Sequence, residues 1–153
     1  IPGHPVHDVT LTDVGVRYPG NPSKAIPFFS ADTMERVPEQ LDAYPEFSMF
    51  GELPCWGLYA RWVGKLRLTR VQITCEKPDP RPAFIFDHVR ALRLDSMDLP
   101  SGTGGPMVWL TQVGSFDTSR LRWPSTLSRA LRIVDKRTSA LAPAPAAADR
   151  KSY

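Results

Sequence analysis

The residues of this chain that could do chemistry are few and scattered. Of its three histidines, His4 and His7 lie three apart near one end and His88 stands beside Asp87. A metal centre needs three or four converging nitrogen, sulfur or oxygen ligands. This spacing supplies no such set, so the histidines read as surface side chains. Cys55 and Cys75 lack the CxxC spacing of a zinc or redox site. They read as ordinary thiols or, in an oxidising compartment, as one disulfide. No Gly-x-Ser-x-Gly elbow is present for a serine nucleophile. The run Ser101-Gly102-Thr103-Gly104-Gly105 lacks the lysine and following helix of a phosphate loop and reads as a tight turn. Neither a metal nor a cofactor is expected. What remains is paired carboxylates: inverting hydrolysis of a glycoside needs two carboxyl groups roughly 6.5–9.5 Å apart. Whether any two of the 16 acidic residues meet in that way depends on the elements that carry them.

A chain of 153 residues with 42% hydrophobic and 23% charged residues is large enough for one domain with a buried core. Its 16 prolines disfavour long helices. No apolar run approaches the ~18 residues of a membrane span. The informative pattern is a repeat. Val6, Val9, Leu11, Val14 and Val16 step by 3, 2, 3 and 2; Val63, Leu66, Leu68, Val71 and Ile73 step identically, as do Val89, Leu92, Leu94, Met97 and Leu99. A degraded fourth copy keeps Val113 and Phe116. Steps of two are strand alternation, and steps of three mark corners flanked by inward residues. Each later copy follows a further strand, Gly57–Arg61, Ala83–Asp87 or Met107–Thr111, in constant register. Leucine-rich repeats would require a recurrent corner Asn or Cys, whereas Asn21 is the sole asparagine. The pattern predicts an all-β fold, a parallel β-helix burying one apolar stripe per coil.

The register tests the carboxylates. It aligns Asp8 with Lys65 and Ala91, Asp13 with Arg70 and Ser96, and Asp95 with Thr69 and Thr12. Asp87 aligns with Arg61, His4 and Thr111, and His88 with Trp62, Pro5 and Gln112. No column holds two acids, and Asp95 and Asp98 diverge across a corner, so no catalytic residue is assigned. Opposite charges and hydroxyls stack on the acids instead, as on a solvated, cross-strand-paired surface.

Two stretches resemble the downstream coils of family 28 glycoside hydrolases, the polygalacturonase and rhamnogalacturonase group. One runs from Ile1-Pro2-Gly3-His4-Pro5-Val6 through Val9-Thr10-Leu11-Thr12-Asp13-Val14. The other is Tyr44-Pro45-Glu46, Met49-Phe50-Gly51-Glu52-Leu53-Pro54 and Gly57-Leu58-Tyr59-Ala60-Arg61, followed by Asp79 and Arg81-Pro82-Ala83. The resemblance implies a right-handed parallel β-helix of about four coils in an enzyme hydrolysing pectin-type polysaccharides, with a secreted or periplasmic parent. The family's Asn-Thr-Asp, Asp-Asp, Gly-His-Gly and Arg-Ile-Lys segments are all missing here; Gly3-His4 is followed by Pro5. The resemblance therefore implies catalysis by a longer parent and an inactive isolated chain. The alternative is a non-catalytic β-helical module for carbohydrate binding or adhesion. On the strand Gly57–Arg61, Leu58 and Ala60 alternate inward, leaving Tyr59 and Arg61 outward. The family's Arg-Ile-Lys occupies the equivalent strand of an earlier coil, which makes Tyr59 and Arg61 the candidate substrate-binding residues. Tyr59 would offer an aromatic face to a sugar ring, and Arg61 a guanidinium to a uronate carboxylate. Arg61 is also placed to pair with Asp87.

The coils are expected over residues 1–117, with an insertion at 21–50 carrying a short helix near Pro38–Ala43. Residues 118–138 read as a terminal cap, either a helix from Ser125 or a strand through Leu131–Val134, and 139–153 as a disordered Ala/Pro tail. Net charge is +3, yet 1–117 carries −3 and 118–153 carries +6. The basicity belongs to the tail, so any nucleic-acid attraction is expected to be non-specific and salt-sensitive. The expected partner is a polysaccharide, with self-association through an exposed first coil.

Overall fold

The computed structural model describes residues 2–20, 37, 42, 53–100, 107–122 and 131–133. Among these, the chain is all β, with no helix and only parallel pairings. The strands are β1 (Val6–Thr12), β2 (Gly15–Tyr18), β3 (Leu58–Thr69), β4 (Gln72–Cys75), β5 (Phe84–Asp95), β6 (Val108–Thr111), β7 (Phe116–Ser119) and β8 (Leu131–Ile133). One sheet runs β1-β3-β5-β6-β8, with β7 also on β5; β2 and β4 form a second.

The register follows the sequence repeat residue for residue. Val6 faces Val63 and Val63 faces Val89; Leu11, Leu68 and Leu94 form another column. These columns point inward and form the core with Phe84, Phe86, Val108 and Leu110, all at or below 1% exposure. Among the described residues, the first copy is covered on one side only, by β3 and β4. Val9, Leu11 and Val14 are partly buried, while Val6 and Val16 are 59% and 45% exposed.

Corners are made by left-handed residues stacked in columns. Asp13, Arg70, Ser96 and Arg120 form one, and Trp62, His88 and Gln112 another, all with φ of 51–57°. Non-glycine residues seldom adopt this conformation, so its recurrence at equivalent positions shows that the stack imposes it. The first column falls inside the second step of three, as between Leu68 and Val71. The other column precedes Val63 and Val89 by one residue. The first step of three is instead a close approach of neighbouring rungs. A Cβ at Gly64 would lie 2.7 Å from the His7 carbonyl oxygen, and one at Gly114 2.5 Å from that of Arg90.

Two expectations change in detail. The separate strand predicted before each copy is continuous with it in β3 and β5, each 12 residues long and bent at its left-handed residue. The fourth copy, degraded in sequence, keeps its backbone register: Phe116 faces Leu92, Thr118 faces Leu94, and Asp98 bridges Arg122. At the terminal cap, Leu131–Ile133 is a strand parallel to β6, so the helix alternative does not hold across those residues. The reason is tertiary: the side of β6 not taken by β5 pairs with this strand, and Leu131 turns inward at 9% exposure while Arg132 stays outside. Apart from residue 42, the predicted helix near Pro38–Ala43 lies outside the described residues, as does the tail from 139.

Candidate saccharide-contact site

β3 and β5 place Tyr59, Arg61, Ile85 and Asp87 on the face away from the core, as alternation requires. That face is nonetheless covered. Cys55, Ile85 and Trp109 form a second buried cluster against which Tyr59 packs. Arg61 and Asp87 face each other across the strands, and the Arg61 Nε donates to Asp87 Oδ2 at 2.6 Å, with side chains 10% and 2% exposed. Arg61 also donates to the Val37 carbonyl at 3.1 Å, which brings Val37 onto this face. The Tyr59 hydroxyl donates weakly to the same carboxylate at 3.4 Å, and the guanidinium lies 5.9 Å from the Tyr59 ring centroid. His88 Nδ1 stands 2.6 Å from Asp87 Oδ1, and the His88 ring lies 4.0 Å from that of Trp62.

Burial holds two groups of this face in their neutral form. Burial, reinforced by the Asp87 charge, pushes the Tyr59 hydroxyl well above its ordinary range, so it stays a neutral donor. Burial pushes the Cys55 thiol up to about 12, which makes it a poor nucleophile. Cys55 and Cys75 are both free thiols, and the Cys75 Sγ donates to the Lys77 carbonyl.

The two sequence-predicted site residues are thus brought together, along with two more. Asp87 and His88 belong to the same network, which the column of Arg61 and Asp87 already foreshadowed. Sequence reasoning missed Trp109, next to Ile85 in the Tyr59 column and stacked under the Arg132 guanidinium at 4.9 Å. The +24 register would have found it. It also missed a second buried ion pair: Asp79 accepts from the Arg81 backbone N–H at 3.0 Å and from its Nη2 at 2.7 Å. Arg81 continues to the Leu53 carbonyl and the Tyr18 hydroxyl, tying β2 to the turn before β5.

No strand position in the described sheets sets two carboxylates side by side. Opposite charges stack instead: Arg70 grips Asp13 at 2.5 and 2.6 Å, and Arg122 meets Asp98 at 2.7 Å. Among the described residues, no group of three or more His, Cys, Asp or Glu is placed to hold a metal ion. Among the same residues, no helix is present that is long and apolar enough to cross a membrane. The arrangement is a hydrogen-bonded network closed largely on itself, and the described strand pairings supply no side-by-side acids of the kind glycoside hydrolysis uses. Compared with known proteins, the chain matches no family model, no curated protein and no solved structure.

Proposed function

We propose that the chain forms about four coils of a right-handed parallel β-helix belonging to a polysaccharide-degrading glycoside hydrolase of the polygalacturonase kind. The paired carboxylates of hydrolysis would be supplied by other coils of that enzyme. The part of these residues would be to contact the polymer, with Tyr59 and Arg61 at the contact. The observation that carries this reading is the in-register parallel stack, with left-handed corners recurring in columns and one outer face set with Tyr59, Arg61 and Trp109. Because Arg61 is engaged by Asp87, Tyr59 supplies the ring face and Arg61 holds the carboxylate network beside it.

A second reading is a non-catalytic carbohydrate-binding or adhesion module. It is favoured by the absence of any side-by-side acid pair in the described sheets. Upstream coding sequence carrying an Asp-Asp and a Gly-His-Gly supports the enzyme; a start codon next to Ile1 supports the module. The polymer itself is tested by affinity electrophoresis of the 153-residue chain through gels cast with polygalacturonate or a neutral glucan, alongside a reducing-end assay. Retardation by polygalacturonate alone, weakened by Tyr59→Ala and without release of reducing ends, is the expected result. Unchanged mobility in every gel refutes polysaccharide contact, and sustained release of reducing ends refutes the missing acid pair.

A further inference from the structure

A groove of about 440 Å³ crosses the outer side of β1, β3, β5 and β7, on the stretch of β3 beyond the Trp62 corner and so apart from Tyr59 and Arg61. Its shape comes from one column. Asp8, Lys65 and Ala91 stand side by side, and Ala91 is the short member, so a hollow opens at β5 that the long side chains around it rim. Its charge comes from the next outward column: Thr10, Arg67, Arg93 and Asp117.

That column breaks the rule kept elsewhere on this surface. Asp13 pairs with Arg70, Asp8 with Lys65, Arg93 with Asp117 and Asp98 with Arg122, each across neighbouring rungs. Arg67 instead faces Arg93 in register. Neighbouring strands are about 4.8 Å apart, and like charges directly opposite destabilise a sheet. Arg93 has Asp117 at 3.2 Å, whereas Arg67 is exposed and has no ion-pair partner among the described residues. Lys65, two residues away on the same face, adds a third cation. An anion lying in the hollow between Arg67, Arg93 and Lys65 removes the repulsion.

The ends of the groove decide what kind of anion fits. Asp8 and Asp117 close it on either side. A nucleic-acid strand carries a phosphate about every 3.4 Å and would drive its neighbouring charges into those carboxylates. A ligand with one central oxyanion and hydroxyls around it suits the same ends, since Asp8 and Asp117 accept from hydroxyls and Thr10 and Ser115 add further polar contacts. We propose that this groove is a binding site for a sugar ring bearing a single oxyanion, a uronate or a sulfate ester. The oxyanion is held by Arg67, with Arg93 and Lys65 beside it. The site goes beyond the Tyr59 contact and stands or falls separately from it.

The test is calorimetric titration of the 153-residue chain with glucuronate, galactose 6-sulfate, neutral galactose, inorganic sulfate and an oligothymidylate. The expected result is binding of one or both anionic sugars, no binding of galactose, and weakening as salt rises. Arg67→Gln, at an exposed position that leaves the fold intact, should weaken binding about tenfold, while Tyr59→Ala leaves it unchanged. The proposal is overturned if Arg67→Gln binds as tightly as the parent chain, if neither anionic sugar binds, or if inorganic sulfate binds as tightly as the sugars. Tighter binding of the oligothymidylate than of either sugar overturns it in favour of a nucleic-acid surface.

Discussion

Replacing Arg61 with methionine removes the guanidinium and keeps much of the side-chain bulk, leaving the Asp87 carboxylate 2% exposed. Breaking a buried ion pair by deleting one partner costs about 3–5 kcal/mol, because the remaining charge is left without compensation. Asp87 keeps His88 at 2.6 Å, which places the loss near the lower end, about 3 kcal/mol. With a urea m-value of about 2 kcal/mol/M, the midpoint should fall by about 1.5 M. The double variant Arg61→Met/Asp87→Leu removes both charges and should recover most of that loss, since an apolar pair of similar volume can replace a buried ion pair at little cost. The assay is urea unfolding of the parent, both single variants and the double variant, followed by far-UV circular dichroism. A loss below about 1 kcal/mol in Arg61→Met, or a double variant no more stable than Arg61→Met, refutes the reasoning.

Alkaline stability should depend on Cys55. Its thiol is raised from 9.0 to about 12 in the folded chain, so this contribution is fully present below pH 9 and is lost as pH rises through about 12. Three pKa units correspond to about 4 kcal/mol; Cys55→Ala should flatten the stability profile between pH 9 and 12, and an unchanged slope would contradict the assignment. Gly64→Ala should lose about 1–3 kcal/mol, because its Cβ meets the His7 backbone. Gly15→Ala, with nothing within 4 Å, should stay within about 0.5 kcal/mol by thermal unfolding; equal effects would refute the close approach of the rungs. With Val6 and Val16 exposed and β1 flanked by β3 alone in its sheet, sedimentation velocity should show concentration-dependent association that Val6→Lys/Val16→Lys reduces. A monodisperse parent chain would contradict that.

The inward columns were legible because alternation and constant spacing expose them in any copy. The valines at 6, 63 and 89 pair as the intervals demand. Only one set of corners was legible in place: Asp13, Arg70 and Ser96 fall inside the second step of three, whereas the first step proved to be a close approach of rungs and the corner at Trp62, His88 and Gln112 lies before each copy, where no step marks it. Neither set shares a residue type that signals a left-handed backbone. The alternation that turned Tyr59 and Arg61 outward was correct. Their burial was not legible, because the cover includes Val37, 24 residues away from Arg61 in sequence. Leu131 fitted one face of a helix from Ser125, with Leu127 and Val134, as well as a strand, and pairing with β6 decided between them. The Arg67–Arg93 column follows from the 26-residue interval alone, whereas the hollow beside it requires the stacked rungs around Ala91.

The most direct test of saccharide contact through the outer faces of this stack is amide chemical-shift mapping of the isotope-labelled 153-residue chain titrated with an oligogalacturonate. The account predicts saturable shifts confined to outward positions of β3, β5 and β6, centred on Tyr59 and Trp109 or on Arg67 and Arg93, with the inward leucines at 68 and 94 unmoved. An unchanged spectrum at saturating oligosaccharide, or shifts spread evenly through the core, would contradict it.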